Sequence, residues 1–173
     1  WARRGVRVRE VAFRGGRGTG RARVAGGRAV ILGGWRVVHA KGLVGHSDAD
    51  AVLHAVTDAL LGAAGLGDIG DFYPDNDPRW KDADSRLFLA ETLAQLTTLG
   101  WRTVNLDVTI FAQEPKLGPV KAAIKANLAE LLGIAADCVN VKAKTGENVG
   151  HIGRGEAIGC HAIALIESFV IGC

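Results

Sequence analysis

From Asp48 onward, apolar residues return at helical spacing: Val52, Leu53, Val56, Leu60, Ala63 and Ala64, a stripe that stops at Gly65-Leu66-Gly67. The spacing predicts an amphipathic helix with Ser47 or Asp48 as its N-cap. Its polar face carries Asp50, His54 and Asp58, each four residues from the next and so stacked one above another. Ahead of it, short apolar runs at 29–32 and 35–38 flank Gly33-Gly34 and predict a hairpin. Behind it, residues 68–78 are too rich in Asp, Gly and Pro for regular structure and predict a loop. A second helix follows, capped by Asp82 or Asp84, with Leu89, Leu93 and Leu96 turned inward and Gly100 as its stop.

Residues 101–112 alternate, with Val104, Leu106, Val108 and Ile110 on one side and Thr103, Asn105, Asp107 and Thr109 on the other, which predicts a half-buried strand. Beyond Pro115 a third helix repeats Val120, Ile124, Leu128 and Leu131 and ends at Gly133. Val139 and Val141 mark a strand that runs into Lys144-Thr145-Gly146-Glu147. Residues 158–171 are almost continuously apolar, the pattern of a strand buried on both faces, the second by another subunit. Strands and helices alternate, which predicts a single α+β domain with helices packed on one face of a mixed sheet. The longest apolar stretch, 162–166, falls far short of the roughly 20 residues that span a bilayer.

With 48% hydrophobic and 23% charged residues, the chain can bury a core and is not disordered. Its three cysteines, Cys138, Cys160 and Cys173, lack CxxC spacing, which argues against a disulfide framework or zinc ribbon and fits a reducing compartment. The net charge of +3 conceals an asymmetry: residues 1–28 hold nine arginines and one acid, Glu10, so the remainder is acidic, at about −5. This segment has no hydrophobic run of a secretory signal, and only its composition resembles an organelle transit peptide. Its only aromatics are Trp1 and Phe13, so nucleic-acid binding by base stacking is poorly supported.

Four polar segments could carry chemistry. His46-Ser47-Asp48-Ala49-Asp50 lies where free N–H groups at a helix start would seat a phosphate, although a plain cap and a surface histidine explain it as well. His54 is a candidate metal ligand that Asp50 or Asp58 could orient, yet one histidine is not a metal site. The loop 142–147, with Lys142, Lys144, Thr145 and Glu147, suits a phosphate bridged to Mg²⁺, and Arg154 adds a guanidinium between glycines. The acidic loop 68–77 could hydrogen-bond a polyol.

Taken in order, GHSDADAVLHAVTDALLGAAGLGDIGDFYPDNDPRWKDADSR (45–86), VNLDVTIFAQEPKLGP (104–119), VNVKAKTGE (139–147) and GRGEAIGC (153–160) resemble the 2-C-methyl-D-erythritol 2,4-cyclodiphosphate synthases of non-mevalonate isoprenoid biosynthesis. The resemblance runs through residues 29–170 and sets 1–28 apart as an atypical Arg/Gly-rich segment before a synthase-like domain at 29–173. It implies a homotrimer with active sites between subunits, in a bacterial cytoplasm or plastid-type organelle. There a cytidine diphosphate substrate would cyclise with release of CMP. His46 and Thr145 would stabilise the transition state. Ser47, Asp68, Gly70, Tyr73, Asp75 and Asp77 would hold the methylerythritol phosphate. Ala112, Lys116 and Leu117 would receive cytosine, with Lys144, His151 and Arg154 near the phosphates. His54 would ligate zinc, and Glu147 would carry Mg²⁺ or Mn²⁺ on the diphosphate.

The family opens with R-x-G-x-G-x-D-x-H, whose Asp and His supply the other two zinc ligands. Without a gap that motif falls on Arg14, Gly16, Gly18, Gly20 and Ala22, so both ligands are replaced; a register starting at Arg3 or Arg4 loses them too. Lys144 stands where the family commonly has Thr, and His151 where it commonly has an aromatic residue. The resemblance thus leaves an alternative: a weak or silent trimer that binds a nucleotide or isoprenoid diphosphate.

Overall fold

Within the arginine-rich stretch Gly16, Gly18, Gly20 and Ala22 alternate with Arg17, Thr19, Arg21 and Arg23. A period of two makes a strand, and in the computed structural model, which describes residues 11–26 and 29–169, it is β1 (Phe13–Ala25). The composition changes at about residue 28, and β1 lies in the same sheet as β4, β5, β6 and β7. β1 pairs antiparallel along its length with β7 (Ala157–Ser168) and at its end with β4 (Gly42–Val44). Arg3, Arg4, Arg7, Arg9 and Arg28, with the motif register that starts at Arg3 or Arg4, lie outside the described residues.

The five-stranded sheet has the order β4-β1-β7-β5-β6, with β5 (Trp101–Phe111) and β6 (Val139–Lys144) as its parallel pair. A separate hairpin joins β2 (Val30–Leu32) to β3 (Trp35–Val37). Helices α1 (Ala51–Ala64), α3 (Ser85–Thr98) and α4 (Lys121–Leu132) cover one face of the sheet. The mixed α+β architecture expected from the alternating pattern is therefore present. β7 is not buried on both faces within the chain: Ala162, Ala164 and Ile166 are buried, whereas His161 and Ile163 are exposed on the face that α1, α3 and α4 leave open. In β5 a bulge between Thr103 and Asn105 breaks the expected alternation. Thr103 is buried in place of Val104, and Leu106, Val108 and Ile110 follow inward.

β1 and α1 meet at backbone distance. A Cβ added at Gly16 would lie 1.9 Å from the Ala59 carbonyl oxygen, and one at Gly18 would lie 2.0 Å from that of Ala55. The helix contributes Ala51, Ala55, Ala59 and Ala63, one small residue every fourth position, so the two elements form a seam with almost no side chain in it.

Asp50 is the N-cap of α1, displacing the expected Ser47 or Asp48. Its carboxylate accepts from Val52 N and Leu53 N at 3.0 Å each, and also from Gly33 N at 2.9 Å and Gly34 N at 2.6 Å. Gly33 and Gly34 both have positive φ, the two-residue turn that matches strand twist and leaves these N–H groups pointing at one acceptor. Asp50 is thus fully buried and does not stand on the polar helix face with His54. Burial pushes its carboxyl up to about 7, while the Gly34, Leu53 and Gly33 N–H donors pull the other way.

Residues 68–78 are not one irregular loop. Asp68 caps a single-turn helix, α2 (Ile69–Phe72), in a capping box with Asp71, and Asp77 starts a 3₁₀ turn at Pro78–Trp80. Asp84 caps α3, one of the two candidates, and Gly133 ends α4 in the left-handed conformation.

Two substitutions test this frame. Asp50→Ala strands three buried donors and a half-buried one and should lower unfolding free energy in urea by about 3 kcal/mol. Gly18→Ala places its methyl against helix backbone and should cost at least as much, or abolish folding, as read by far-UV circular dichroism.

Candidate active site

The loop before α1, the α2 turn and the start of α3 enclose a cavity of about 540 Å³. It is lined by six of the expected residues, His46, Ser47, His54, Gly70, Tyr73 and Asp75, together with Arg21, Trp80 and Phe88. One wall is aromatic: the Tyr73 ring stacks on Phe88 with centroids 4.3 Å apart, and Trp80 meets both edge-on at 5.2 and 5.7 Å. The Tyr73 hydroxyl donates to Glu91 Oε2 at 2.9 Å, and burial with this partner pushes the phenol up to about 12. Tyr73 therefore offers its ring rather than a proton.

The His46 Nε2 lies 2.8 Å from the Asp77 carbonyl oxygen, which can only accept, so Nε2 carries the proton and a neutral ring keeps Nδ1 as an acceptor. Asp77 contributes that carbonyl. Its carboxylate is bound by Arg79 at 2.6 Å, which holds it below the usual carboxylate range. The Asp68 carboxylate is occupied by Gly70 N at 2.8 Å and Asp71 N at 3.1 Å.

The phosphate seat expected at the start of α1 is closed. Asp50 takes the Val52 and Leu53 donors, Ser47 Oγ accepts from Ala49 N at 3.3 Å, and Asp48 accepts from Asp50 N at 3.1 Å. Nor do Asp50 or Asp58 orient His54. Its Nε2 lies 3.0 Å from Ser47 Oγ and 3.0 Å from Ser85 Oγ, and the Ser85 hydroxyl reaches Asp48 Oδ1 at 2.5 Å. Asp58 instead accepts from Ile69 N at 3.3 Å and Thr19 N at 3.4 Å. Burial holds the His54 imidazole below its ordinary value, so the ring is neutral near pH 7.

A second group gathers at the ends of β5 and β6, where Ala112, Lys116, Leu117, Lys144 and Thr145 line a cavity of about 340 Å³. Thr145 Oγ1 donates to Glu147 Oε1 at 2.6 Å. Lys142 leaves this loop to pair with Asp107 at 2.5 Å. His151 borders a hollow on the uncovered sheet face with Thr19, Arg21, Phe111 and His161, and Arg154 pairs with Glu156 at 2.7 Å on the surface. Thus the expected residues fall into two main groups, and no cavity described contains both.

A zinc ion does not fit the His54 group. Among the described residues no three of His, Cys, Asp or Glu lie together as a metal site would require. Gly20 and Ala22, where the family motif would place the other ligands, carry no donor atom.

Reasoning from sequence missed Trp80, Ser85 and Phe88, whereas Arg21, with Arg23, was already a candidate to neutralise phosphate. Phe88 was legible: with Leu89, Thr92 and Leu96 it completes the buried stripe of α3. Ser85 carried no signal, because only the fold brings its hydroxyl to His54.

Fold and site together define a single-domain α+β protein with a polar small-molecule cavity beside a helix start. Residues 13–167 match the YgbB family model, and the chain belongs to that family. It is 56% identical over 155 residues to the 2-C-methyl-D-erythritol 2,4-cyclodiphosphate synthase of Dechloromonas aromatica, covering 90% of this chain and 97% of that one. Against the synthase of Chromobacterium violaceum it is 53% identical over 89% of this chain and 98% of that one. Among solved structures, the bifunctional IspDF of Campylobacter jejuni superposes with a TM-score of 0.88 at 36% identity, over 92% of this chain and 43% of that one. IspF of Plasmodium falciparum in complex with CDP gives 0.80 at 29% identity, over 92% and 98%.

Phe88→Ala should remove the stacked wall, costing about 3 kcal/mol of stability and shifting tryptophan fluorescence as Trp80 gains solvent; an unchanged spectrum would contradict the packing.

Proposed function

We propose that this chain converts 4-diphosphocytidyl-2-C-methyl-D-erythritol 2-phosphate into 2-C-methyl-D-erythritol 2,4-cyclodiphosphate and CMP. The observation that carries the reading is the pair of cavities: one pairs polar groups with an aromatic wall, the other sets Lys116, Lys144 and Thr145 around a small apolar floor. These suit the sugar phosphate and nucleotide ends of one substrate. The naming of relatives such as the 56% identical synthase supports the same reaction.

An oxygen of the 2-phosphate attacks the phosphorus nearer the methylerythritol; that P–O bond forms, the bond to the CMP phosphate breaks, and CMP leaves with the electron pair. No water is consumed. Two anionic groups must approach each other, so the protein's task is to place them and to balance their charge. In this reading His46 and the Thr145 hydroxyl face the reacting phosphates, Lys144 adds positive charge, and Ser47, Gly70, Tyr73, Asp75 and the Asp77 backbone hold the polyol. Ala112, Lys116 and Leu117 receive the base. His151 and Arg154 stand farther out, and Asp68 acts by shaping the α2 turn. A single carboxylate, Glu147, together with phosphate oxygens is the usual donor set for Mg²⁺ or Mn²⁺, whose charge would offset that of the diphosphate.

The reading also includes a homotrimer, because the two cavities are separate within one chain and neighbouring subunits would join them. The uncovered sheet face, with Phe13 and Ile163 each 57% exposed, suits such contact. No helix among the described residues is long and apolar enough to cross a membrane, and the relatives' bacterial sources fit a cytoplasmic enzyme. Gly20 and Ala22 favour a second reading, a trimer that binds the nucleotide without turnover.

Purified protein given the substrate and Mg²⁺ should release CMP. His46→Ala and Thr145→Ala should each lower kcat about 100-fold or more without altering the trimer mass in size-exclusion chromatography. A folded trimer that binds CDP but releases no CMP would establish the second reading instead.

A further inference from the structure

We propose that the His54 centre of this chain is a metal-free hydrogen-bonded joint, so that cyclisation, on the reading above, uses only the divalent ion that arrives with the diphosphate. Three observations meet here. First, the β1–α1 seam extends one step further than Gly16 and Gly18 require. A Cβ at Gly20 would lie 1.9 Å from the Ala51 carbonyl oxygen, 2.8 Å from its carbonyl carbon and 3.1 Å from its Cα. All three atoms are backbone, so no rotamer change relieves the contact. The first turn of α1 thus occupies the space through which an aspartate at position 20 would have to reach a metal. That turn cannot drift outward alone, because Asp50 ties Val52 and Leu53 to the Gly33-Gly34 hairpin.

Second, Ala22 is buried, 3% exposed, and presents a methyl group. Third, the proton on His54 is on the wrong nitrogen for a ligand at Nε2. Ser85 has one hydroxyl proton, and at 2.5 Å the Asp48 carboxylate takes it. Toward His54, at 3.0 Å, Ser85 can then only accept, so Nε2 must donate. An Nε2–H ring has no lone pair there for a metal, and ligation through Nε2 would require a tautomer change and loss of the serine contact. His54 is therefore a positioning residue: it links α1 to Ser85 at the head of α3 and to Ser47 at the cavity.

Metal analysis of the full chain, loaded with excess Zn²⁺ and desalted, tests this apart from activity. The expected content is about one-tenth of a zinc per chain or less, in the wild type and His54→Ala alike. Near one zinc per chain, lost on His54→Ala, would overturn the proposal. Gly20→Ala isolates the seam from any ligand chemistry and should lower the thermal midpoint by about 5 °C or more; an unchanged midpoint would refute the closed seam. Gly20→Asp with Ala22→His should show a similar fall and no gain of zinc. Stoichiometric zinc in that double variant at the wild-type midpoint would show that the site was merely short of ligands and overturn the joint. CMP release in Mg²⁺ should persist with a zinc-selective chelator, and its abolition by the chelator would count against the proposal. Absence of CMP under every condition would instead remove the cyclase reading, with zinc content and midpoints still deciding the joint.

Discussion

The contact between β1 and α1 governs the rest of the molecule. Glycines on every second strand position face alanines on every fourth helix position, and the two backbones come close enough that carbonyl oxygens of the helix occupy the places of absent Cβ atoms. β1 is the second strand of the sheet and hydrogen-bonds along its length to β7, so the seam sets how α1 lies on the sheet centre. The cavity is built from what precedes and follows α1: the loop carrying His46 and Ser47 leads into it, and the α2 turn leaves it. A change of even a methyl group in the seam is therefore felt at the cavity.

Asp50 converts that packing into a fixed geometry. One carboxylate closes the hairpin turn and caps the helix, and in doing so it satisfies donors from two elements that otherwise share few contacts. The same arrangement removes the helix start from the list of anion sites, since the donors that would receive a phosphate already have an internal acceptor. Phosphate recognition must then come from side chains. Arg21, the one permanent cation lining the His46 cavity, and Lys116, Lys121 and Lys144 at the second cavity are the groups placed for it.

The regular elements were legible because each rests on a local period: the α1 stripe, the Gly33-Gly34 hairpin, the α3 and α4 stripes and the β6 strand appear where the pattern puts them. Local pattern failed where a nonlocal partner decides. Asp50, His54 and Asp58 share a helical spacing, yet Asp50 is drawn inward by a hairpin seventeen residues earlier in sequence, and Asp58 is engaged by β1 and α2. The bulge at Thr103 cannot be read from alternation, because it arises from pairing with β7. The apolar run of β7 implied two covered faces, and the chain supplies cover for one. In the site, residues on one loop were found together, whereas Ser85 and Trp80 come from the far side of the cavity and had no sequence neighbour to reveal them.

The replacement of two motif residues has a consequence that ligand counting alone misses. Removing an Asp and a His from a metal site would be expected to leave a polar void around the remaining histidine, which is unfavourable unless water or other groups fill it. Here the void is closed from both sides: the glycine lets helix backbone settle onto the strand, and two serine hydroxyls meet the imidazole edge. Ser85 and its partner Asp48 are then as important to the orientation of His54 as a metal would be. Because Ser47 is shared between His54 and the cavity, the joint holds the substrate-facing loop in place, and the charge that a metal would have brought must be supplied by the cations around it.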